Sequence, residues 1–337
     1  MKAALHGDGG RLEGYYSSRI RTVGAAGDFS TSATLHPAFG GAVGRWAGEE
    51  LRTQGLRHLI ECGPGDGSLL LHAARSLGRW TRLTRRIRLH LVETSPALRE
   101  RQRKTLRALP VTWHESIEAA LEVCGGEAVI YSNEFADAFP VHLIEWDADL
   151  GHWSEVAVEH DENWKVTAET LIPFDPDPDP DPELPCSGLE FPGVGPGQRI
   201  ELGLDYRDWL RSMAARFRRG SLLTIDYGDR FPDLYHRRPR GTLRAFRGHQ
   251  RLEGSAIYAE PGRRDITADV NFTDLDRWGQ DLGWHTEALE SQATFLARQD
   301  PGIADQAAAD PALAFLLEPT GAGGAFQVLH QRIGVAT

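Results

Sequence analysis

Apolar residues recur at helical spacing from Leu35 to Leu51 (Leu35, Phe39, Val43, Trp46, Ala47, Leu51), and Gly55 follows as a stop, which predicts an opening helix. Residues 57–62 (RHLIEC) then form a short apolar run that ends in a glycine cluster, and helically patterned SLLLHAARSL comes next. That order predicts strand, tight turn and helix. RIRLHLVE (86–93) predicts a second strand, and Ser95-Pro96 supplies an N-cap and a first-turn proline for a helix running towards Leu109. A short strand at Val111 to Trp113, a helix over Ile117 to Val123 and the run AVIYS (128–132) continue the alternation, which predicts a parallel sheet.

From 141 to 172 the pattern changes to short alternating segments, LIEWD, WSEVAVEH and NWKVTAE, separated by Asp, Gly and Asn, as in an antiparallel hairpin or small sheet. DPDPDPDP (175–182) forms neither helix nor ladder, because each proline removes a donor and restricts the residue before it; a solvated linker is expected. A helix from Tyr206 to Phe217 leads into SLLTIDYGD, a buried strand emerging at Asp226. Residues 230–264 are arginine-rich and read as irregular. DITADVNFTDLDRWGQDLGW reads as strand or loop followed by helix, and AFQVLHQRI as a final strand. The fold class is α/β, a doubly wound sheet with helices on both faces and an inserted α+β subdomain.

Composition narrows the function. At 337 residues the chain has room for one large core with insertions or two smaller cores. With 41% hydrophobic and 25% charged residues it reads as a globular protein, and no window nears the roughly 18 uninterrupted apolar residues of a membrane span. A net charge of −11 repels a phosphate backbone, so no nucleic-acid partner is expected. Six arginines in 237–251 (Arg237, Arg238, Arg240, Arg244, Arg247, Arg251) fit a salt-bridged face better than an RNA site. Cys62, Cys124 and Cys186 form no CxxC pair and read as thiols of a reducing compartment. With no basic segment and apolar core at the N-terminus, the cytoplasm is the default expectation. The histidines show no HExxH or comparable spacing, so no metal is expected.

The chemistry centres on Glu61-Cys62-Gly63-Pro64-Gly65-Asp66-Gly67. Glycines at 63, 65 and 67 permit left-handed backbone and let a ligand approach a helix N-terminus closely. A dinucleotide fingerprint needs its third glycine at 68, where Ser68 stands, and there is no GxxxxGK[ST] for a mononucleotide. Glu61 and Asp66 would crowd a pyrophosphate but suit a cation. S-adenosylmethionine carries a sulfonium and an ammonium and no phosphate, and Glu93, ending the next strand with Thr94 and Ser95 behind it, suits its ribose hydroxyls. A structural turn at the glycines, and Glu93 as a favourable charge at a helix start worth about 0.3–1 kcal/mol, are the competing explanations. Glu115 or Ser116 suits the adenine amino group, or is a solvated loop residue.

The segments GAAGDFSTS (24–32), ECGPGDGSLL (61–70), LVETSPALRERQ (91–102), SNEFADAFP (132–140), IDYGD (225–229), LRAFRGH (243–249), DITADVNF (265–272) and SQATFLAR (291–298) occur in order. They resemble the MidA family, the NDUFAF-seven-like or DUF185 methyltransferases, over nearly the whole chain. The resemblance implies a class I methyltransferase Rossmann-like sheet with a substrate-side subdomain, S-adenosylmethionine as cofactor, and arginine methylation of the kind associated with its mitochondrial member on a respiratory complex I subunit. The organisation it implies is a cofactor-covering segment and helix (1–56), the cofactor-binding half of the core (57–140), an insertion with antiparallel strands and the Asp-Pro linker (141–219), and the second half of the core with substrate-side loops (220–337). It folds GDFSTS over the cofactor, with Asp28, Phe29, Thr31 and Ser32 as contacts.

SNEFADAFP, by the same resemblance, brings Asn133 to the cofactor and Glu134 and Asp137 to the acceptor; the competing explanation for these acids is a solvated turn. Methyl transfer is an in-line displacement that needs alignment and no covalent nucleophile. A guanidinium acceptor would be held by Glu134, Asp137 and Asp226. A hydroxyl or carboxylate acceptor would need a base, for which His249 is the candidate. A protein acceptor, arginine first, is the leading expectation. Ala33-Thr34-Leu35-His36 and the Asp-Pro run depart from the family pattern; the departure at Ala33-Thr34, with the inserted sheet that would reshape the pocket, favours a small-molecule acceptor as the alternative. A cofactor-binding assembly factor without chemistry is the third.

Overall fold

Residues 58–62 form β1 (His58–Cys62), whose last four residues are all buried, as expected of a parallel strand covered on both faces. The chain turns through three glycines into α2 (Ser68–Leu77), after α1 (Pro37–Thr53) has packed Phe39, Val43, Trp46 and Leu51 inward at helical spacing. β2 (Arg88–Val92) follows. Ser95 then caps α3 (Pro96–Thr105), its hydroxyl accepting from Leu98 N with Pro96 in the first turn, an arrangement worth about 1 kcal/mol. β3 (Val111–His114), α4 (Ile117–Val123) and β4 (Glu127–Asn133) complete the alternation. β1 pairs in parallel with β2 on one side and β4 on the other, so connections leave β1 in opposite directions and a switch point opens between β1 and β4. The structure is a computed structural model and describes residues 1–6, 14–15, 36–78, 81, 83, 85–161, 166–174, 189, 191–247, 250–252 and 254–334.

Beyond β4 come β5 (His142–Asp147), β6 (His152–His160), β7 (Val166–Pro173) and β8 (Arg199–Leu202), joined as an antiparallel sheet in the order β7-β6-β5-β8. β9 (Arg219–Asp229) follows, then β10 (Arg244–Arg247), β11 (Gln250–Leu252) and β12 (Asp265–Thr267), a second small sheet in the order β11-β10-β12. β13 (Val270–Asn271) pairs with Gly228 and Asp229. β14 (His285–Ser291) and β15 (Phe326–Ile333) close the large sheet, ordered β14-β15-β9-β4-β1-β2-β3, in which β15 runs antiparallel to both of its neighbours. The α/β expectation therefore holds.

The chain forms two compact units. One comprises Ile20–Ala136, Leu210–Tyr227 and Leu282–Thr337 and carries the large sheet; its core is built on Phe39, Trp46, Leu59, Leu89, Tyr131, Ile225, Phe295 and Phe326. The other comprises Met1–Arg19, Asp137–Trp209 and Gly228–Asp281. In it Ala4, Leu5, Ala245, Ile257 and Ile266 pack together, Phe139 meets Tyr206 and Trp209, and Arg199 bridges Glu145 and Glu169.

The irregular segment expected over 230–264 instead holds a short helix (Asp233–His236) and β10 and β11, because strands of three or four residues are too short to show alternation. Within it Arg237 pairs with Asp229, and Arg238 and Arg244 both pair with Asp269, which makes these arginines structural. The Asp-Pro repeat lies outside the described residues.

Candidate functional site

The glycine loop takes the left-handed backbone its sequence allows: φ is 64° at Gly63, 53° at Gly65 and 84° at Gly67. Gly67 N donates to Pro64 O at 2.8 Å, closing the turn, and Asp66 Oδ1 accepts from Ser68 N at 2.9 Å at the start of α2. A methyl group on Gly63 would fall 2.6 Å from the Phe135 ring, so two loops at the carboxyl edge approach each other closely there.

Glu61 is buried beneath this loop. Its carboxylate accepts from the Tyr131 hydroxyl at 3.0 Å and from the Leu70 amide in the first turn of α2. Burial, with a smaller push from Asp66, raises it to about 8. Its place is that of a strut joining β1, β4 and α2.

Gln102, fully buried on α3, ties the site together. Its amide nitrogen donates to Gly65 O at 2.9 Å and to Glu93 Oε2 at 3.1 Å, while its oxygen accepts from Trp113 Nε1 at 2.9 Å. One side chain thus links the glycine loop to the acid that follows β2. The other Glu93 oxygen accepts from Ser95 N at 2.8 Å. Burial raises the Glu93 carboxyl, and these donors, with Arg99 nearby, oppose the rise. Arg99 in turn donates to Glu93 O at 2.7 Å and pairs with Glu115 at 3.5 Å.

Across the switch point, Asn133 ends β4 and is 8% exposed. Its Nδ2 donates to Glu134 Oε1 at 3.1 Å, and its Oδ1 is buried without a donor among the described residues. An unpaired buried carbonyl oxygen costs about 1–3 kcal/mol, so the atom suits a ligand that brings an N–H. Glu134 has φ 51°, a conformation that costs a side-chain-bearing residue on the order of 1–2 kcal/mol and marks functional turns. Its amide donates to Ile225 O at 3.0 Å. Asp226, fully buried on β9, accepts from Phe135 N at 3.1 Å, Ala136 N at 2.9 Å and Tyr227 N at 2.8 Å. These bonds clamp the turn that carries Glu134.

The structure therefore gathers Gly63, Gly65, Gly67, Glu93, Asn133 and Glu134 along the carboxyl edge, with Glu61 and Asp226 as buried supports. Thr94 is exposed and Ser95 caps α3. Glu115 is an exposed partner of Arg99, and Ser116 caps α4 by accepting from Ala119 N at 3.2 Å. Asp137 belongs to the other unit, where it is buried and its carbonyl accepts from Ala268 N at 3.3 Å. Asp28, Phe29, Thr31, Ser32 and His249 lie outside the described residues. Sequence reasoning missed Gln102, Trp113 and Tyr131, and read Phe135 as a packing residue, which is how it meets Gly63. For Gln102 a signal existed: it stands at i+4 between Leu98 and Leu106, a polar residue on an apolar stripe.

Comparisons with known proteins agree with this geometry. The chain is 28% identical over 296 residues to the zebrafish (Danio rerio) "Protein arginine methyltransferase NDUFAF7, mitochondrial", a match covering 80% of this chain and 65% of that protein. To the Caenorhabditis elegans homologue of the same name it is 28% identical over 300 residues, covering 77% of this chain and 63% of the relative. The chain thus spans less than two thirds of the length of either relative. A Burkholderia thailandensis protein crystallised with S-adenosyl-homocysteine superposes with TM-score 0.82 at 27% identity, over 100% of this chain and 87% of that one. The resemblance read from the ordered segments is borne out.

The cytoplasmic expectation is not: these curated relatives are mitochondrial by name. Buried free thiols at Cys62 and Cys124 suit any reducing compartment and never singled out the cytoplasm. Among the described residues, no helix is long and apolar enough to cross a membrane. The family described as "Putative S-adenosyl-L-methionine-dependent methyltransferase" matches residues 42–289, most of the sequence, and the chain belongs to it.

Proposed function

We propose that the chain transfers a methyl group from S-adenosylmethionine to a protein side chain, arginine first. The observation that carries the cofactor half is the left-handed glycine loop joined through Gln102 to Glu93, with the donorless Asn133 Oδ1 across the switch point. S-adenosyl-homocysteine in the Burkholderia relative supports it. The names of the curated relatives support arginine as the acceptor. Gly63, Gly65 and Gly67 would let the ligand lie against backbone, Glu93 would take its ribose hydroxyls, and Asn133 Oδ1 would accept from its ammonium. When bound, S-adenosylmethionine supplies a methyl carbon already activated by the sulfonium. Alignment is then the main demand on the protein, and no residue has to act as a nucleophile. The Glu134 carboxylate would hold a guanidinium N–H through a charge-assisted bond and fix the attacking nitrogen, while Asp226 holds the turn in place.

The test incubates the protein with labelled S-adenosylmethionine and a lysate of its source organism. Protein and small-molecule fractions are separated, and labelled protein is hydrolysed to amino acids. Label in methylated arginine, lost in Glu134→Gln while S-adenosyl-homocysteine still binds, supports the reading. Label confined to small molecules, or to protein residues other than arginine, overturns the acceptor. Absence of S-adenosyl-homocysteine binding overturns the whole.

A further inference from the structure

Away from the glycine loop, three parallel strands bring histidines into one row. His58 opens β1, His90 lies mid-way along β2 and His114 ends β3. His58 Nδ1 lies 3.0 Å from His90 Nε2, and His90 Nδ1 lies 3.0 Å from His114 Nε2. Cys124, the residue that closes α4, reaches the same place: the His58, His90 and Cys124 ligating atoms all lie within 4.8 Å of one another. No linear spacing announces this set, because its members come from two strands and a helix end.

We propose that His58, His90 and Cys124 form a binding site for a borderline-soft divalent cation, zinc by preference, with His114 as the residue that positions His90. Two imidazole nitrogens and one thiolate are the donor types zinc favours, at bond lengths of about 2.0–2.1 Å to nitrogen and about 2.3 Å to sulfur. Ligand atoms at those bond lengths stand roughly 3–4 Å apart, so the observed cluster needs only small side-chain movements to close on an ion. The outer bond has the polarity a metal site requires. With Nε2 on the ion, the His90 proton resides on Nδ1 and points at His114 Nε2, which fixes tautomer and ring orientation together. Coordination replaces the Cys124 thiol proton, released to solvent, with a metal–sulfur bond. Water completes the shell on the side of His58, which is half-buried, whereas His90 is 2% and Cys124 7% exposed.

Arg57 and Arg88 face His58 with positive charge. Glu127 faces His58 with the opposite charge. The role is structural: the ion would pin β1, β2 and the end of α4 to one another, independently of the methyl-transfer reading.

The experiment uses the full-length chain after dialysis against a chelator. Cobalt(II) titration should saturate at one equivalent with strong visible bands and a near-ultraviolet thiolate-to-cobalt band, all displaced by zinc. Cys124→Ser, which preserves size, should keep its circular dichroism and lose the near-ultraviolet band. His114→Gln should weaken zinc binding by about 10- to 100-fold, the usual cost of losing an outer-shell partner. Zinc should also raise the thermal midpoint of the wild type and leave that of Cys124→Ser unchanged. Identical pale cobalt spectra for wild type and Cys124→Ser, or equal zinc affinity in the two, would overturn the proposal.

Discussion

Glutamine at position 61 gives the sharpest test of how β1 is tied to β4 and α2. Glu61 is buried against the Tyr131 hydroxyl and the Leu70 amide, and its carboxyl is raised from 4.5 to about 8. A carboxyl raised on folding binds more protons in the folded chain than in the unfolded one between those two values. Its contribution to stability is therefore complete below about pH 4.5 and is lost progressively as pH rises to about 8. At about 1.4 kcal/mol per pH unit, the full window is worth about 5 kcal/mol as an upper figure. Glutamine has the shape of the neutral acid: its oxygen accepts from Leu70 N, and its amide donates to Tyr131 Oη once that hydroxyl rotates. Urea unfolding of both proteins from about pH 5 to about pH 9 should show the wild type losing about 4 kcal/mol relative to Glu61→Gln, with little difference at the acid end. A constant gap, or a wild type that gains on the variant as pH rises, would mean that Glu61 is ionised in the folded protein. The account of it as a neutral strut would then be wrong.

Gln102→Leu strands Trp113 Nε1, Gly65 O and one Glu93 oxygen at once, so a loss of about 3 kcal/mol in urea unfolding is expected, together with at least tenfold weaker S-adenosyl-homocysteine binding by calorimetry. Unchanged affinity would dissociate Gln102 from the site. Gly63→Ala forces a side chain onto φ 64° and into the Phe135 ring, for a stability loss of about 1–3 kcal/mol and weaker S-adenosyl-homocysteine binding by the same calorimetry. A neutral outcome in both measurements would show that the loop has room the structure denies it.

What the sequence made legible was local. The glycine spacing announced three left-handed residues, Ser95-Pro96 a capped helix, and the run from Ser221 to Asp226 a buried strand, because each depends on neighbours within a turn or a pleat. What stayed hidden depends on register. His58, His90 and His114 line up only because β1, β2 and β3 pair as they do, with Ile60 opposite His90 and Val92 opposite His114. β14 escaped notice since HTEALES puts charges on a strand whose residues are mostly half-exposed. Gln102 was within reach, but only to a reader who asks what a polar residue on an apolar stripe must be paired with.

The acids around the switch point looked interchangeable as letters, and their surroundings assign each a separate task. Glu61 sits against a helix start and a phenol, with burial favouring its neutral form. Glu93 is fixed by Ser95 N and Gln102 beside the loop. Asp226 accepts from three backbone amides. Glu134 follows β4 with φ 51°, a conformation that would relax without support. Its own amide bond to Ile225 O and the two amide bonds from the following residues to Asp226 supply that support. Net hydrogen bonds of about 1 kcal/mol each outweigh a φ penalty of about 1–2 kcal/mol, so the turn can hold Glu134 in a costly shape. Removing the Asp226 carboxylate should therefore move Glu134 before it disturbs the glycine loop, which Gln102 holds from α3.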